Sequence, residues 1–260
     1  MRSTLLFNHD WLFCADNVGD TTADDAFQSV TLPHTNKVFP HHNFDESEYQ
    51  FISTYRKHFT LPEPLQGRRV YLDFDGAMIA TTVTVNGHTF EEHRGGYTPF
   101  SFDITDILHA SGDNLLTVHV DSTERKDIPP YGHVIDYLLF GGIYRDVWLR
   151  YVDPVHIHDV FARPVDVLSP SRKLEVDVRL HNQGVSPVRP TISVLLNSGV
   201  QQPDGRVATI TEQTLTLTVP PGEMSTATLT LDGLGDIALW SPENPALYGL
   251  GSPCNCRTAV

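Results

Sequence analysis

Strict alternation of apolar and polar residues, with almost no helical period anywhere, restricts this chain to strands. Leu174, Val176, Val178 and Leu180 alternate with Lys173, Glu175, Asp177, Arg179 and His181. Val70, Leu72 and Phe74 alternate with Tyr71 and Asp73, and Leu116, Val118 and Val120 with Thr117 and His119. Successive side chains of an extended chain point to opposite faces, so each run offers one face to a core and one to water. Thr82-Val83-Thr84-Val85 runs into Asn86-Gly87, the pair that best forms a two-residue hairpin turn. Glycine and proline, 18 of each, punctuate the chain as many short strands require. Only residues 103–110 read as a short turn of helix, with Thr105 or Asp106 as cap. The fold class is all-β.

A boundary falls at Val152-Asp153-Pro154, dividing the 260 residues into 1–153 and 154–260. The first part carries the aromatics and longer connections of a large sandwich. The second is plainer: Leu215, Leu217 and Val219 alternate with threonines, Pro220-Pro221-Gly222-Glu223 turns, and Leu229 and Leu231 resume the pattern. Strands of this length, separated by turns within about 100 residues, suggest an immunoglobulin-like sandwich. Residues 249–260 show no alternation and hold Cys254 and Cys256, so they read as an aberrant tail. A second sandwich lacking its last strand would keep an unpaired edge, through which the chain is expected to associate.

The most informative stretch runs from Asp136 through Gly141-Gly142 to Arg150. A carboxylate on a loop precedes a glycine pair that tolerates backbone angles or close approaches forbidden to other residues. Ile143, Arg145, Val147, Leu149 and Tyr151 are then expected on one strand face, and Tyr144, Asp146, Trp148 and Arg150 on the other. On loop chemistry alone Asp136 is a turn residue, and Arg145-Asp146 a structural or solvated pair.

The wording of that stretch resembles the end of the first domain of glycoside hydrolase family 2, which contains β-galactosidases and β-glucuronidases. Leu32-Pro33-His34-Thr35, Tyr55-Arg56-Lys57-His58-Phe59, Val83-Thr84-Val85-Asn86-Gly87, Tyr97-Thr98-Pro99-Phe100 and Phe102-Asp103-Ile104-Thr105-Asp106 resemble further landmarks in the family's order. Leu239-Trp240-Ser241-Pro242-Glu243-Asn244-Pro245-Ala246-Leu247-Tyr248 resembles the end of its second domain. The resemblance implies a jelly-roll, galactose-binding-like sandwich followed by an immunoglobulin-like one. It also implies that Asp136 reaches a sugar in the intact enzyme, beside a sodium ion in some members, and that Asn43 contributes an amide. The family's catalytic carboxyls belong to a third domain, a barrel that takes about 250 residues. Only twelve residues follow Tyr248, so the expectation is a chain without that barrel, from a frame that once continued into it.

The remaining sequence supplies no catalytic residue and no cofactor. Retaining hydrolysis needs two carboxyls about 5 Å apart. Glu91 and Glu92 are expected on opposite strand faces, while Asp24-Asp25 and Asp45-Glu46-Ser47-Glu48 read as solvated connections. His156 and His158 share a face, a spacing able to hold a metal, but no third ligand is visible, so no metal is assigned. Trp11, Trp148 and Trp240 read as core or junction filling before sugar platforms. A formal charge of −14 argues against nucleic acid and anionic membranes, and no apolar run spans a bilayer. Three cysteines without a disulfide framework, and an opening too polar for a secretory signal, point to the cytoplasm. The expected partner is a β-galactoside-like carbohydrate, bound weakly or only in an intact enzyme. A free-standing carbohydrate-binding module or a structural sandwich protein are the alternatives.

Overall fold

The computed structural model describes residues 2–42, 45–132, 137–201, 207–252 and 254–255. The chain forms two compact units, Met1–Asp153 and Pro154–Val260. Asn43 and Asp136 lie outside the described residues.

The strands of the first unit are β1 (Ser3–Leu6), β2 (Trp11–Cys14), β3 (Gln28–Val30), β4 (Ile52–Phe59), β5 (Arg69–Phe74), β6 (Ala80–Val85), β7 (His88–Thr89), β8 (His93–Arg94), β9 (Phe100–Asp103), β10 (Asn114–Asp121) and β11 (Val147–Val152). They make a four-stranded sheet, β1-β11-β5-β9, and a seven-stranded sheet, β3-β2-β4-β10-β6-β7, in which β8 also pairs with β6. The alternation that predicts strands also predicts the core. Val70, Leu72 and Phe74 from β5, Leu116, Val118 and Val120 from β10, and Val147, Leu149 and Tyr151 from β11 are all fully buried in one cluster. Trp11 sits among them, its indole N–H donating to the Phe7 carbonyl at 2.7 Å. Asn86 and Gly87 take positive φ, 49° and 81°, and Val85 pairs with His88 across the expected two-residue turn. The short helix is a 3-10 turn over Thr105–Ile107. Neither Thr105 nor Asp106 caps it; the Asp103 carboxylate accepts from the Thr105 amide and hydroxyl, since an Asx turn two residues back reaches those donors sooner.

Strand β4 is buried on both faces except at half-buried Ile52 and exposed His58. Tyr55 and Phe59 point into the core, whereas Arg56 points outward and is nonetheless only 2% exposed. The connection between β2 and β3 covers it. The Arg56 guanidinium donates to the carbonyls of Thr22 and Gly19 and to the Asp24 carboxylate at 2.6, 2.9 and 2.7 Å, and lies 4.3 Å above the Phe27 ring. Thr54 and His119 fasten the same connection through Asp16 and Val18 carbonyls. Asp24 is therefore an ion-pair partner and not a merely solvated acid. A buried charge needs such partners, because each unmet group carries its desolvation cost; both terminal nitrogens have them, while the buried Arg56 Nε has none.

The strands of the second unit are β12 (Val155–Val165), β13 (Lys173–Asn182), β14 (Thr191–Gln201), β15 (Val207–Thr216), β16 (Met224–Leu231), β17 (Tyr248–Gly251) and β18 (Cys254–Asn255). Sheets of order β12-β13-β16 and β15-β14-β17, with β18 also on β14, enclose Val176, Val178, Leu180, Ile192, Val194, Leu229 and Leu231. Two expectations change. Leu215 is 39% exposed because β15 pairs only along β14 and most of its side chains face water. The described part of the tail is not strandless: Tyr248–Gly251 and Cys254–Asn255 pair antiparallel with β14. Two glycines in β17 erase the apolar alternation, but ladder hydrogen bonds come from the backbone and survive that loss. That flank of β14 is consequently covered over these residues.

Replacing Arg56 with Met should cost about 2–3 kcal/mol, the order of the acceptors it strands. Urea unfolding gives the cost, and faster proteolysis between β2 and β3 should accompany it.

Candidate functional site

The glycine pair is where the first unit's two sheets are tied at their loop end. Met78, just before β6, exchanges backbone hydrogen bonds with Gly142, just before β11, at 3.0 and 3.3 Å. Asn36 N–H donates to the Gly141 carbonyl and His34 N–H to the Ile143 carbonyl. A Cβ on Gly141 would come within 2.6 Å of both Asn36 Nδ2 and Ser122 Oγ. Gly142 has φ 98°, and a Cβ there would run into the Tyr55 hydroxyl and approach the His34 carbonyl to 2.9 Å. Close approach and positive φ both require glycine. The same tie ends the expected alternation early: Ile143 is fully buried, but Arg145 turns outward and the strand starts at Val147. Arg145 and Asp146 are engaged separately, Arg145 with the Tyr97 carbonyl and Asp146 with the Asn8 amide.

In front of this tie lies a cleft of about 170 Å³. Asp45, Tyr49 and Gln50 line one side, Ser122 and Glu124 another, and Tyr131 and Tyr137 also border it. Its apolar floor is Met78 and Ile79, packed with Ala80, Ile128 and Leu139. Each wall is fixed by the frame. Asn36 Nδ2 donates to the Tyr49 carbonyl at 2.8 Å, and Ser122 Oγ to the Met78 carbonyl at 2.8 Å. Gln50 Oε1 accepts from the Glu124 amide, and the Glu124 carboxylate accepts from the Gly132 amide. Asp45 caps the 3-10 turn Glu46–Tyr49 by accepting from Ser47 Oγ and N–H, which holds its carboxyl below the usual range. Behind Tyr137, burial and then the hydrogen bond with Tyr137 push the Tyr97 phenol up, so Tyr97 stays a neutral partner of that residue.

This arrangement can bind but is poorly suited to proton transfer. A glycosidic general acid needs a raised pKa, and Asp45 is shifted the other way. The cleft is also smaller than the roughly 300 Å³ at which pockets begin to enclose small ligands. Other acids are committed elsewhere: Glu92 lies between β7 and β8, outside any strand, and pairs with Arg94 and Arg125. Of the tryptophans, Trp11 is core, Trp148 Nε1 donates to Asp75, and Trp240 is 61% exposed in the second unit. The aromatic rim of the cleft is tyrosine, half exposed at Tyr131 and Tyr137. Gln50 and Glu124 had no signal beyond polar residues just outside a strand.

The structure supplies a third histidine that spacing along the chain could not. His181 on β13 is the cross-strand partner of His156 on β12, and ligand nitrogens of His156, His158 and His181 all lie within 4.8 Å of one another. Register between strands, not proximity in sequence, assembles this group.

Residues 32–132 match the glycosyl hydrolase 2 galactose-binding domain-like model, and residues 155–252 match the model of glycosyl hydrolases family 2. The chain belongs to glycoside hydrolase family 2. A β-galactosidase of Thermoanaerobacter pseudethanolicus is 44% identical over 205 residues, covering 76% of this chain and 28% of that protein. A β-galactosidase of Thermoanaerobacterium thermosulfurigenes is 36% identical over 252 residues, covering 95% and 34%. The structure of Bacteroides uniformis β-glucuronidase 2, covalently bound to cyclophellitol-6-carboxylate aziridine, has a TM-score of 0.85 at 28% identity, covering 99% of this chain and 31% of that one. The chain thus spans about a third of the length of these family 2 relatives and corresponds to their N-terminal part. Family membership and the all-β architecture, a galactose-binding-like sandwich followed by an immunoglobulin-like one, are as the sequence resemblance implied.

Substituting Gly142 with Ala should destabilise the first unit by about 2–4 kcal/mol, overpacking adding to positive-φ strain. Gly87→Ala carries only the strain, having open space around its Cβ, and should cost about half as much in the same denaturant titration. His34 gives a pH signature. Its ring nitrogen Nδ1 lies 2.9 Å from the Tyr55 hydroxyl, and burial lowers its pKa from 6.5. The unfolded chain therefore takes the proton first. The stabilisation from the neutral ring is complete above pH 6.5, falls as pH drops below it, and levels off beneath the folded-state pKa. Unfolding titrations between about pH 7 and pH 5 should show a shallower slope in His34→Gln than in the parent.

Proposed function

We propose that this chain forms the sugar-binding front of a β-galactosidase-type family 2 glycosidase, with the acid/base and the nucleophile supplied from outside these two units. The cleft carries this reading. Its lining includes Asp45, two residues after Asn43, and Gly132 and Tyr137, which flank residues 133–136 in the chain. Asn43 and Asp136 are the two positions that match the family's sugar contacts. A carboxylate at Asp136 suits vicinal hydroxyls because charge-assisted hydrogen bonds are the stronger kind; a sodium ion beside it belongs to the intact enzyme.

A galactoside fits better than a glucuronide. The described lining contains the carboxylates of Asp45 and Glu124 and no lysine or arginine. An anionic sugar would meet like charge there without a compensating cation, whereas a neutral one finds acceptors for its hydroxyls. The acidic net charge of −14 works in the same direction. Alone, the shallow cleft should hold sugar only at about millimolar affinity, because few polar groups converge and one wall is open. A cytoplasmic site of action, with soluble β-galactosides as partners and no nucleic acid or membrane, completes the proposal.

The test is a pair of nitrophenyl β-galactoside assays. The chain by itself should give no turnover above a buffer blank. Exchanged for the corresponding segment of the Thermoanaerobacter β-galactosidase, it should restore turnover, and Asp136→Ala in that chimera should lower kcat/KM by about 10- to 100-fold, the worth of a hydrogen bond to a charged group. Turnover by the chain alone, or an unaffected Asp136→Ala chimera, refutes the assignment.

A further inference from the structure

We infer that the second unit carries a transition-metal site made by His156, His158 and His181. Three features of the strands assemble it. His156 and His181 are directly opposed on β12 and β13, with ring centroids 5.8 Å apart. Register then slips: Ile157 faces Leu180 and Asp159 faces Arg179, so His158 is the extra residue of a bulge. A bulge re-aims a side chain; here the His158 ring stands edge-on to His181 at 6.2 Å and 89°. All three ligand nitrogens fall within 4.8 Å of one another.

Around a tetrahedral ion with metal–nitrogen bonds near 2.0–2.1 Å, ligand nitrogens sit about 3.3 Å apart. Small rotations of the rings close the difference, and His158, the exposed member, is free to make the largest one. His156 is buried and His181 half-buried, so two ligands are held while the third swings in from water. The donor set decides the class of ion. Three imidazoles suit zinc, and also nickel or copper, whereas calcium and magnesium require oxygen ligands. The cluster contains no carboxylate, so the fourth position falls to water, and the ion's effect is to cross-link β12 to β13 at the bulge. All three ligands belong to the second unit.

Isothermal titration of the untagged 260-residue chain with zinc chloride should show one ion per chain, saturating at low micromolar metal. His158→Ala removes an exposed ligand and should weaken binding at least tenfold, whereas the His41→Ala/His42→Ala double variant should bind as the parent does. Cobalt substitution should give visible d–d bands without a thiolate charge-transfer band, as imidazole ligation requires and cysteine ligation would not. Absence of zinc binding, unchanged affinity in His158→Ala, a thiolate band, or displacement of zinc by equimolar calcium would each overturn the inference.

Discussion

The first unit depends on backbone meeting backbone where a side chain would stand in the way. Gly142 and Met78 bond to each other across the loop end of the sandwich, one leading into the four-stranded sheet and the other into the seven-stranded sheet. Tyr55 reaches the same place from β4, its hydroxyl taking the Ile143 amide at 3.4 Å and lying against His34. Burial pushes the Tyr55 phenol up, so it remains a neutral hydrogen-bonding group. Residues 32–36, 78–79 and 141–143 are locked together by this contact, and the floor of the cleft is the outer side of that lock.

Much of this was legible from residues alone, for reasons that can be named. Alternation exposes a strand whenever one face is dry, so β5, β10 and β13 could be read directly. Asn86-Gly87 announced its turn because few other pairs accept positive φ twice in succession. The glycine pair at 141–142 could be recognised as a close approach, though not what it approaches. Three things were hidden. Strand β17 carries glycine at alternate positions and its pairing is purely main-chain. The short 3-10 turn is held by the Asp103 carboxylate on Thr105, two residues on, and not by a cap of its own. The histidine trio depends on a register and a bulge that no one-dimensional spacing contains. Asp136 and Asn43 came from likeness to a family, not from local chemistry, which would have left both as turn residues.

A chain with so many carboxylates could be expected to hold a reactive pair by chance, yet several described acids of the first unit are spent on architecture. Asp24 neutralises Arg56, Asp73 holds Arg150 at 2.6 Å, Asp103 both holds Thr105 and meets Arg69 at 2.9 Å, and Glu92 joins Arg94 and Arg125. Each of these carboxylates already accepts hydrogen bonds from a guanidinium, an amide or a hydroxyl, so its oxygens are engaged by the frame of the sandwich.

The cleft is bordered by loops, while the core that supports it is built from strand interiors. Asp45–Gln50, Ser122–Glu124 and Tyr131–Gly132 touch the sandwich through a few hydrogen bonds to main-chain atoms and contribute little to the apolar cluster. Insertions and exchanges in those segments can therefore accumulate without disturbing the barrier to unfolding. One chassis can in this way carry differently lettered clefts, its foundations untouched while its lip is rewritten.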